Sequence, residues 1–83
     1  MSLDLQSFAQ AVNNGLRKQR KAPDMTVDAG QSFGALGLDS LDVMNLVLDV
    51  ESALGVNFGE IDVDEDDTTE TFLAKANARV ASA

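Results

Sequence analysis

One serine of this chain is placed where it could carry chemistry. Ser40 lies in the stretch Leu38-Asp39-Ser40-Leu41-Asp42, directly after a loop that contains glycines and at the predicted start of an apolar helix. Backbone N–H groups at a helix N-terminus are free, and together with the helix dipole they favour negative charge. A phosphodiester on the oxygen of Ser40 would therefore sit in a suitable place.

Catalysis by the chain itself is not expected. A nucleophilic serine needs an adjacent base, and the sequence contains neither histidine nor cysteine. The residues around Ser40 do not form a Gly-x-Ser-x-Gly elbow, and no phosphate-binding glycine loop occurs. We therefore predict no catalytic residue and no enzyme, and we interpret Ser40 as an attachment point.

No metal site is predicted either. Asp62, Asp64 and Asp66 alternate as in a calcium loop. A calcium loop starting at Asp62 requires glycine at its sixth position and glutamate at its twelfth. The chain has Asp67 and Leu73 there, so a solvated acidic segment is the better interpretation.

The charge distribution points to a protein partner with a basic surface. The net charge is −8, which argues against nucleic acid and anionic membranes as partners. Residues 28–70 contain twelve acidic side chains and no basic one, and such asymmetry favours a basic docking surface, although an acidic face that serves only solubility stays an alternative. Four of the six basic residues are clustered, either as a docking patch or to complement a helix dipole: Arg17, Lys18, Arg20 and Lys21.

The length and the apolar patterns predict a small all-α protein. Eighty-three residues make one domain, 1–83. No apolar run approaches the roughly 20 residues of a membrane span, and no signal peptide is recognisable, so we expect a cytoplasmic protein. We also expect it to be a monomer. Apolar residues three and four apart predict a small four-helix bundle with three main helices and one short helix, at 3–20, 40–54, 69–81 and, for the short one, 60–66. A long first loop at 22–38 follows the break at Pro23.

Local signals mark where two of these helices begin. Asp39, or Ser40 itself, is predicted to cap the second helix, and Gly55 is predicted to end it. Asp67 and Glu70 have the spacing of a capping box, so we expect them to open the last helix.

The second helix carries two apolar rows. Five residues at helical spacing should face the core: Val43, Leu46, Val47, Val50 and Leu54. Leu41, Met44 and Leu48 form a second row on another flank. Either the whole helix is buried or the second row faces a partner, and we favour a partner because so small a bundle has little room to bury a helix on all sides.

These residues resemble the acyl carrier protein family. The resemblance rests on Phe33-x-x-Leu36-Gly37-Leu38-Asp39-Ser40-Leu41, continues through the helix to Glu51 and Gly55-Val56, and extends over essentially the whole chain. It implies that a phosphopantetheinyl transferase attaches 4'-phosphopantetheine to Ser40, and that the thiol of this arm carries acyl or aminoacyl groups as thioesters. The enzymes that load and transfer those groups would be the further partners.

The same resemblance assigns residues to partner binding. Leu41, Met44 and Leu48 match the family's partner-facing row. Asp39, Asp42 and Glu51 match acidic positions that meet basic docking patches; complementary charge speeds such encounters.

Two positions depart from the family pattern. Asn45 stands where carriers of fatty acid biosynthesis usually have glutamate, and Gly59 stands where a proline is common near the third helix. A carrier for a modified lipid, a polyketide or an amino acid fits these departures at least as well as a fatty acid carrier. The alternative from another class is a helical adaptor that binds one partner through Leu41, Met44 and Leu48 and has no prosthetic group.

Overall fold

The computed structural model describes residues 3–20 and 26–82, and it confirms an all-α fold. The three α-helices are α1 (Leu5–Arg20), α2 (Ser40–Leu54) and α3 (Thr69–Ser82). α1 packs against both α2 and α3. Across the described residues the only β-type pairing is an isolated bridge between Ser32 and Thr68.

Helix α1 begins two residues later than its apolar pattern predicts. Asp4 precedes it, and the Asp4 carboxylate accepts a hydrogen bond from the Ser7 amide at 2.8 Å. The hydrogen bonds from Ser7 lower the pKa of Asp4. Phe8, Val12 and Leu16 are buried as expected, whereas Leu5, the first member of the predicted stripe, is 43% exposed because it lies in the first turn, beyond the core.

The first loop is held in place by a buried side chain and by hydrogen bonds to the segment before α3. Phe33 is fully buried, and its amide donates to the Asp67 carbonyl at 3.0 Å. Gly34 donates to the Glu65 carbonyl at 2.8 Å, so two loops that are distant in sequence run side by side. The predicted break at Pro23 and the basic residue Lys21 fall outside the described residues.

The short helix predicted at 60–66 is wrong. Residues 56–68 form no α-helix, and the short helical element is instead a 3₁₀ turn in the first loop, Gly34–Leu36. Aspartate side chains explain the difference, because they bind nearby amides and compete with helical hydrogen bonds. The Asp64 carboxylate accepts from the Asp66 amide at 2.9 Å, and that of Asp67 accepts from the Asp64 amide at 3.0 Å.

The predicted Asp67–Glu70 capping box is also wrong, because Thr68 and Thr71 form it one residue later. The Thr68 hydroxyl accepts from the Thr71 amide at 3.1 Å, and the Thr71 hydroxyl accepts from the Thr68 amide at 2.8 Å. Asp67 is buried and its carboxylate accepts from the Thr71 hydroxyl at 2.7 Å and from the Lys75 ammonium at 2.9 Å. These bonds join α3 to the loop before it.

All four phenylalanines form the centre of the core. The Phe72 ring packs edge-to-face against the other three, with centroid distances of 4.7 Å to Phe8, 5.9 Å to Phe58 and 6.3 Å to Phe33. Edge-to-face packing is favourable for aromatic rings. Helices α1 and α3 and the loops before and after α2 thus each contribute one ring to a single cluster.

Candidate functional site

Ser40 is the first residue of α2, and it is exposed. Asp39 is the N-cap, which confirms one of the two predicted caps. The Asp39 carboxylate accepts from the Asp42 amide at 2.8 Å, and the Asp42 carboxylate accepts from the Asp39 amide at 3.2 Å. This reciprocal capping box holds the backbone on both sides of Ser40 and leaves its hydroxyl on the surface.

Helix α1 holds this helix start from the other side. The Gln19 side-chain amide donates to the Asp42 carbonyl at 3.1 Å and to the Asp42 carboxylate at 3.3 Å. The Arg20 guanidinium donates to the Leu36 carbonyl at 3.4 Å, just before Gly37. The sequence predicted neither of these contacts, because a contact across 16 to 23 positions leaves no local pattern.

The second apolar row of α2 is on the surface. Leu41, Met44 and Leu48 are 64%, 60% and 58% exposed, whereas Val43, Leu46 and Val50 are fully buried. Burial of the whole helix is therefore excluded. A partner at this exposed row stays a prediction.

The three acidic residues assigned to partner binding differ in their surroundings. Asp39 is exposed and Asp42 is half-buried, and both belong to the capping box. Glu51 is half-buried, and its carboxylate accepts from the Phe58 amide at 2.7 Å. Asp42 and Glu51 thus stabilise the fold, whatever further role their charge has.

An apolar groove of about 260 Å³ opens beside Ser40. Met44, Val47 and Leu48 line it from α2, Ile61 and Val63 line it from the segment opposite, and Ser40 itself is among the lining residues. We call this feature the Ser40 groove. A group attached to the Ser40 oxygen therefore has both open solvent and an apolar surface within reach.

The residues around Ser40 fit a covalent phosphodiester better than they fit catalysis. The first amides of a helix have no intrahelical acceptor, and they offer donors to a phosphate on a neighbouring hydroxyl. The adjacent carboxylates of Asp39 and Asp42 are committed to the capping box. Within residues 3–20 and 26–82 no group of acidic side chains is arranged to hold a metal ion.

Comparison with known proteins agrees with this geometry. Residues 10–75 match the family described as "Phosphopantetheine attachment site". A protein of Streptomyces halstedii named "Probable acyl carrier protein" is 36% identical over 61 residues, which are 74% of this chain and 65% of that relative. The chain thus spans just under two thirds of the relative's length. No solved structure matches significantly.

The chain belongs to the phosphopantetheine attachment family. It carries a covalently attached 4'-phosphopantetheine group. An adaptor with no prosthetic group is therefore not supported.

No described helix is long and apolar enough to cross a membrane. The expected monomer, the single-domain organisation and the cytoplasmic location stay predictions.

Proposed function

We propose that Ser40 is the residue that bears the 4'-phosphopantetheine arm, and that the protein holds acyl or aminoacyl groups on it as thioesters. The arm supplies the terminal thiol that this cysteine-free chain lacks. The observation that carries the proposal is the position of Ser40, exposed at the first residue of α2 and inside the region that matches the family.

The residues near Ser40 have separate roles in this proposal. Asp39 and Asp42 fix the helix start, so that the Ser40 hydroxyl is presented on a rigid backbone. The exposed row of Leu41, Met44 and Leu48 offers an apolar contact surface to the phosphopantetheinyl transferase and to the enzymes that load and unload the arm. Acidic side chains around that row steer basic docking patches toward it.

The position of Asn45 supports a carrier with its own set of partners. Asn45 is exposed on α2, between Met44 of the exposed row and the buried Leu46. Its amide replaces a negative charge on a surface that partners with basic patches would contact. We propose a specialised carrier, for a modified lipid, a polyketide or an amino acid, ahead of a general carrier of fatty acid biosynthesis.

The attachment site is tested by intact mass. The apo protein is incubated with coenzyme A and a phosphopantetheinyl transferase of broad specificity, and we expect a mass increase of one phosphopantetheine group. Ser40→Ala should abolish the increase, whereas Ser52→Ala, at another exposed serine of the same helix, should leave it unchanged. Because Asp39 caps the helix, Ser40→Ala should change the free energy of unfolding by less than about 0.5 kcal/mol.

An increase that survives in Ser40→Ala would refute the assignment of this serine. A folded wild-type protein that gains no mass, while a control carrier does, would refute the carrier proposal as a whole.

A further inference from the structure

The basic side chains of α3 are engaged inside the protein. The Lys75 ammonium donates to the Asp62 carbonyl at 2.6 Å and to the Asp67 carboxylate at 2.9 Å. The Arg79 guanidinium donates to the Phe58 carbonyl at 2.8 Å. Both cations of α3 therefore hold the segment that precedes their own helix.

Arg20, the last residue of α1, is not engaged in this way. It is exposed, and its guanidinium donates to the Leu36 carbonyl at 3.4 Å, which is long for an N–H···O bond. Within residues 3–20 and 26–82 the one salt bridge joins Lys75 to Asp67. Arg20 thus has no carboxylate partner there, although the chain contains 14 acidic residues.

Arg20 lies near Ser40 because the end of α1 is fixed to the start of α2. The adjacent Gln19 donates to both oxygens of Asp42 described above, and a Cβ added at Gly37 would lie 3.3 Å from Arg20 Nη2. The three residues from Gly37 to Ser40 span at most about 11 Å. Adding the two distances puts the guanidinium within about 16 Å of Ser40.

An enzyme that reaches the Ser40 oxygen therefore also covers Arg20. A standard protein interface buries about 800 Å² on each partner, which is the area of a disc of about 16 Å radius. When the enzyme docks over Ser40, the Arg20 guanidinium loses water. A cation that is covered without an acceptor weakens binding, so the enzyme needs an acceptor at this point.

The charges around Ser40 have both signs, in separate places. Residues 28–70 contain no basic side chain, and Arg20 puts a positive charge at the edge of this acidic region. A partner with only a basic patch would meet a like charge at Arg20. A partner with a carboxylate beside its basic patch matches both signs, and it binds in one orientation because any other brings like charges together.

We propose that Arg20 is a docking residue that pairs with a carboxylate of the phosphopantetheinyl transferase, beside the basic patch that meets the acidic residues of α2. This inference rests on the proposed function, because the transferase acts at Ser40. Arg20 does not touch the reacting atoms in this role. It is a positioning residue that orients the transferase over the serine.

Lys18 provides a matched control. Basic side chains in the last turn complement the dipole of a helix, and Lys18 shares the last turn of α1 with Arg20. It is exposed, and it lines a cleft with Asp49 of α2. Asp49 is nine residues beyond Ser40, or about two and a half turns, and so lies on the opposite side of α2.

The experiment measures rates of Ser40 modification at low and high salt, with coenzyme A and a transferase of broad specificity. Arg20→Gln removes the charge but keeps a donor for the Leu36 carbonyl. At low salt we expect it to lower kcat/KM for the carrier protein about two- to fivefold, through KM with kcat unchanged, and high salt should remove most of this difference. Arg20→Lys should stay within about twofold of the wild type, and Lys18→Gln should not slow modification.

NMR gives a second measurement that needs no substitution at Arg20. The Ser40→Ala protein cannot accept the arm, so it forms an unreactive complex with the transferase. The side-chain Nε–H signal of Arg20 should shift as this complex forms. An unchanged signal at saturation would overturn the inference, and this measurement stands even if Arg20→Gln loses its helical circular dichroism.

The rates have outcomes of opposite sign. If the transferase surface is basic throughout, Arg20→Gln removes a repulsion and speeds modification, which would overturn the inference. Equal slowing in Arg20→Gln and Lys18→Gln would also overturn it, as would slowing that persists at high salt together with a lower Tm. In all these cases the arm is still attached, so the proposed function survives. A protein that accepts no arm at all fails at the earlier step.

Discussion

Glu51 offers a substitution that separates two roles of one side chain. Its carboxylate is assigned to partner binding by the family resemblance, and it also accepts the Phe58 amide at 2.7 Å. Glu51→Gln removes the charge but keeps an oxygen acceptor at about the same place. Glu51→Ala removes both.

The structure gives the expected size of each effect on stability. Phe58 is 1% exposed, so losing the acceptor leaves its amide unsatisfied next to the core, which costs about 1–3 kcal/mol. Since Glu51 itself is only half-buried and water can reach the bond, we expect about 1–2 kcal/mol for Glu51→Ala. Glu51→Gln exchanges a charged acceptor for a neutral one, and we expect a loss below about 1 kcal/mol.

Thermal unfolding followed by circular dichroism measures these losses. In a domain of this size, 1 kcal/mol corresponds to about 4–8 °C in Tm. Initial rates of Ser40 modification by the transferase, measured at low and high salt, report the second role. Loss of a docking charge should slow modification at low salt and weaken its salt dependence, so Glu51→Gln should be nearly as stable as wild type and yet slower.

The control is Asp49→Asn, which removes one charge from α2 beside Gly15 of α1, away from the Ser40 groove. If both Glu51→Gln and Glu51→Ala keep the Tm of the wild type, the bond to Phe58 contributes nothing to stability. If Glu51→Gln has the rate and salt dependence of Asp49→Asn, the docking role of Glu51 is wrong.

Two further predictions concern stability. Gly15→Ala gains about 1 kcal/mol of helix propensity, but its Cβ would lie 2.9 Å from Cδ1 of the fully buried Leu46, and such overpacking costs about 1–3 kcal/mol. Urea unfolding should therefore show a net loss of stability of up to about 2 kcal/mol. The control is Gly30→Ala, whose Cβ meets nothing within 4 Å, and a clear gain in stability for Gly15→Ala would contradict the packing argument. Burial by itself raises the pKa of Asp67, but hydrogen bonds from Lys75, Thr71 and the Asp64 amide outweigh it and lower this pKa below 3.8. Asp67 thus stabilises the fold above its unfolded pKa, and this contribution disappears as the pH falls through its folded pKa, below about pH 4. On acidification, Tm should therefore fall less in Asp67→Asn than in the wild type. Parallel curves of Tm against pH for the two proteins would refute the assignment.

The sequence by itself determined the fold class and indicated the attachment point proposed here. Apolar residues at helical spacing gave the three main helices, because each buries a stripe that its own period defines. Asp39 as the N-cap and Gly55 as the C-terminal stop are equally local, since a cap needs only the backbone of the next turn. Ser40 is the proposed attachment residue because the absence of histidine and cysteine leaves a serine at a helix start with little other chemistry.

Only the tertiary structure decided how the groove beside Ser40 is built. The acidic segment at 60–66 has enough apolar residues for a short helix, but local aspartate bonds and the cations of α3 hold it in an irregular path. The sequence predicted Asp67 as the cap of α3, but in the structure Thr68 is the cap and the Asp67 carboxylate binds Lys75 instead. Gln19 and Arg79 act over 21 to 23 positions, and such pairings depend on which helix faces which, a property that no local pattern contains.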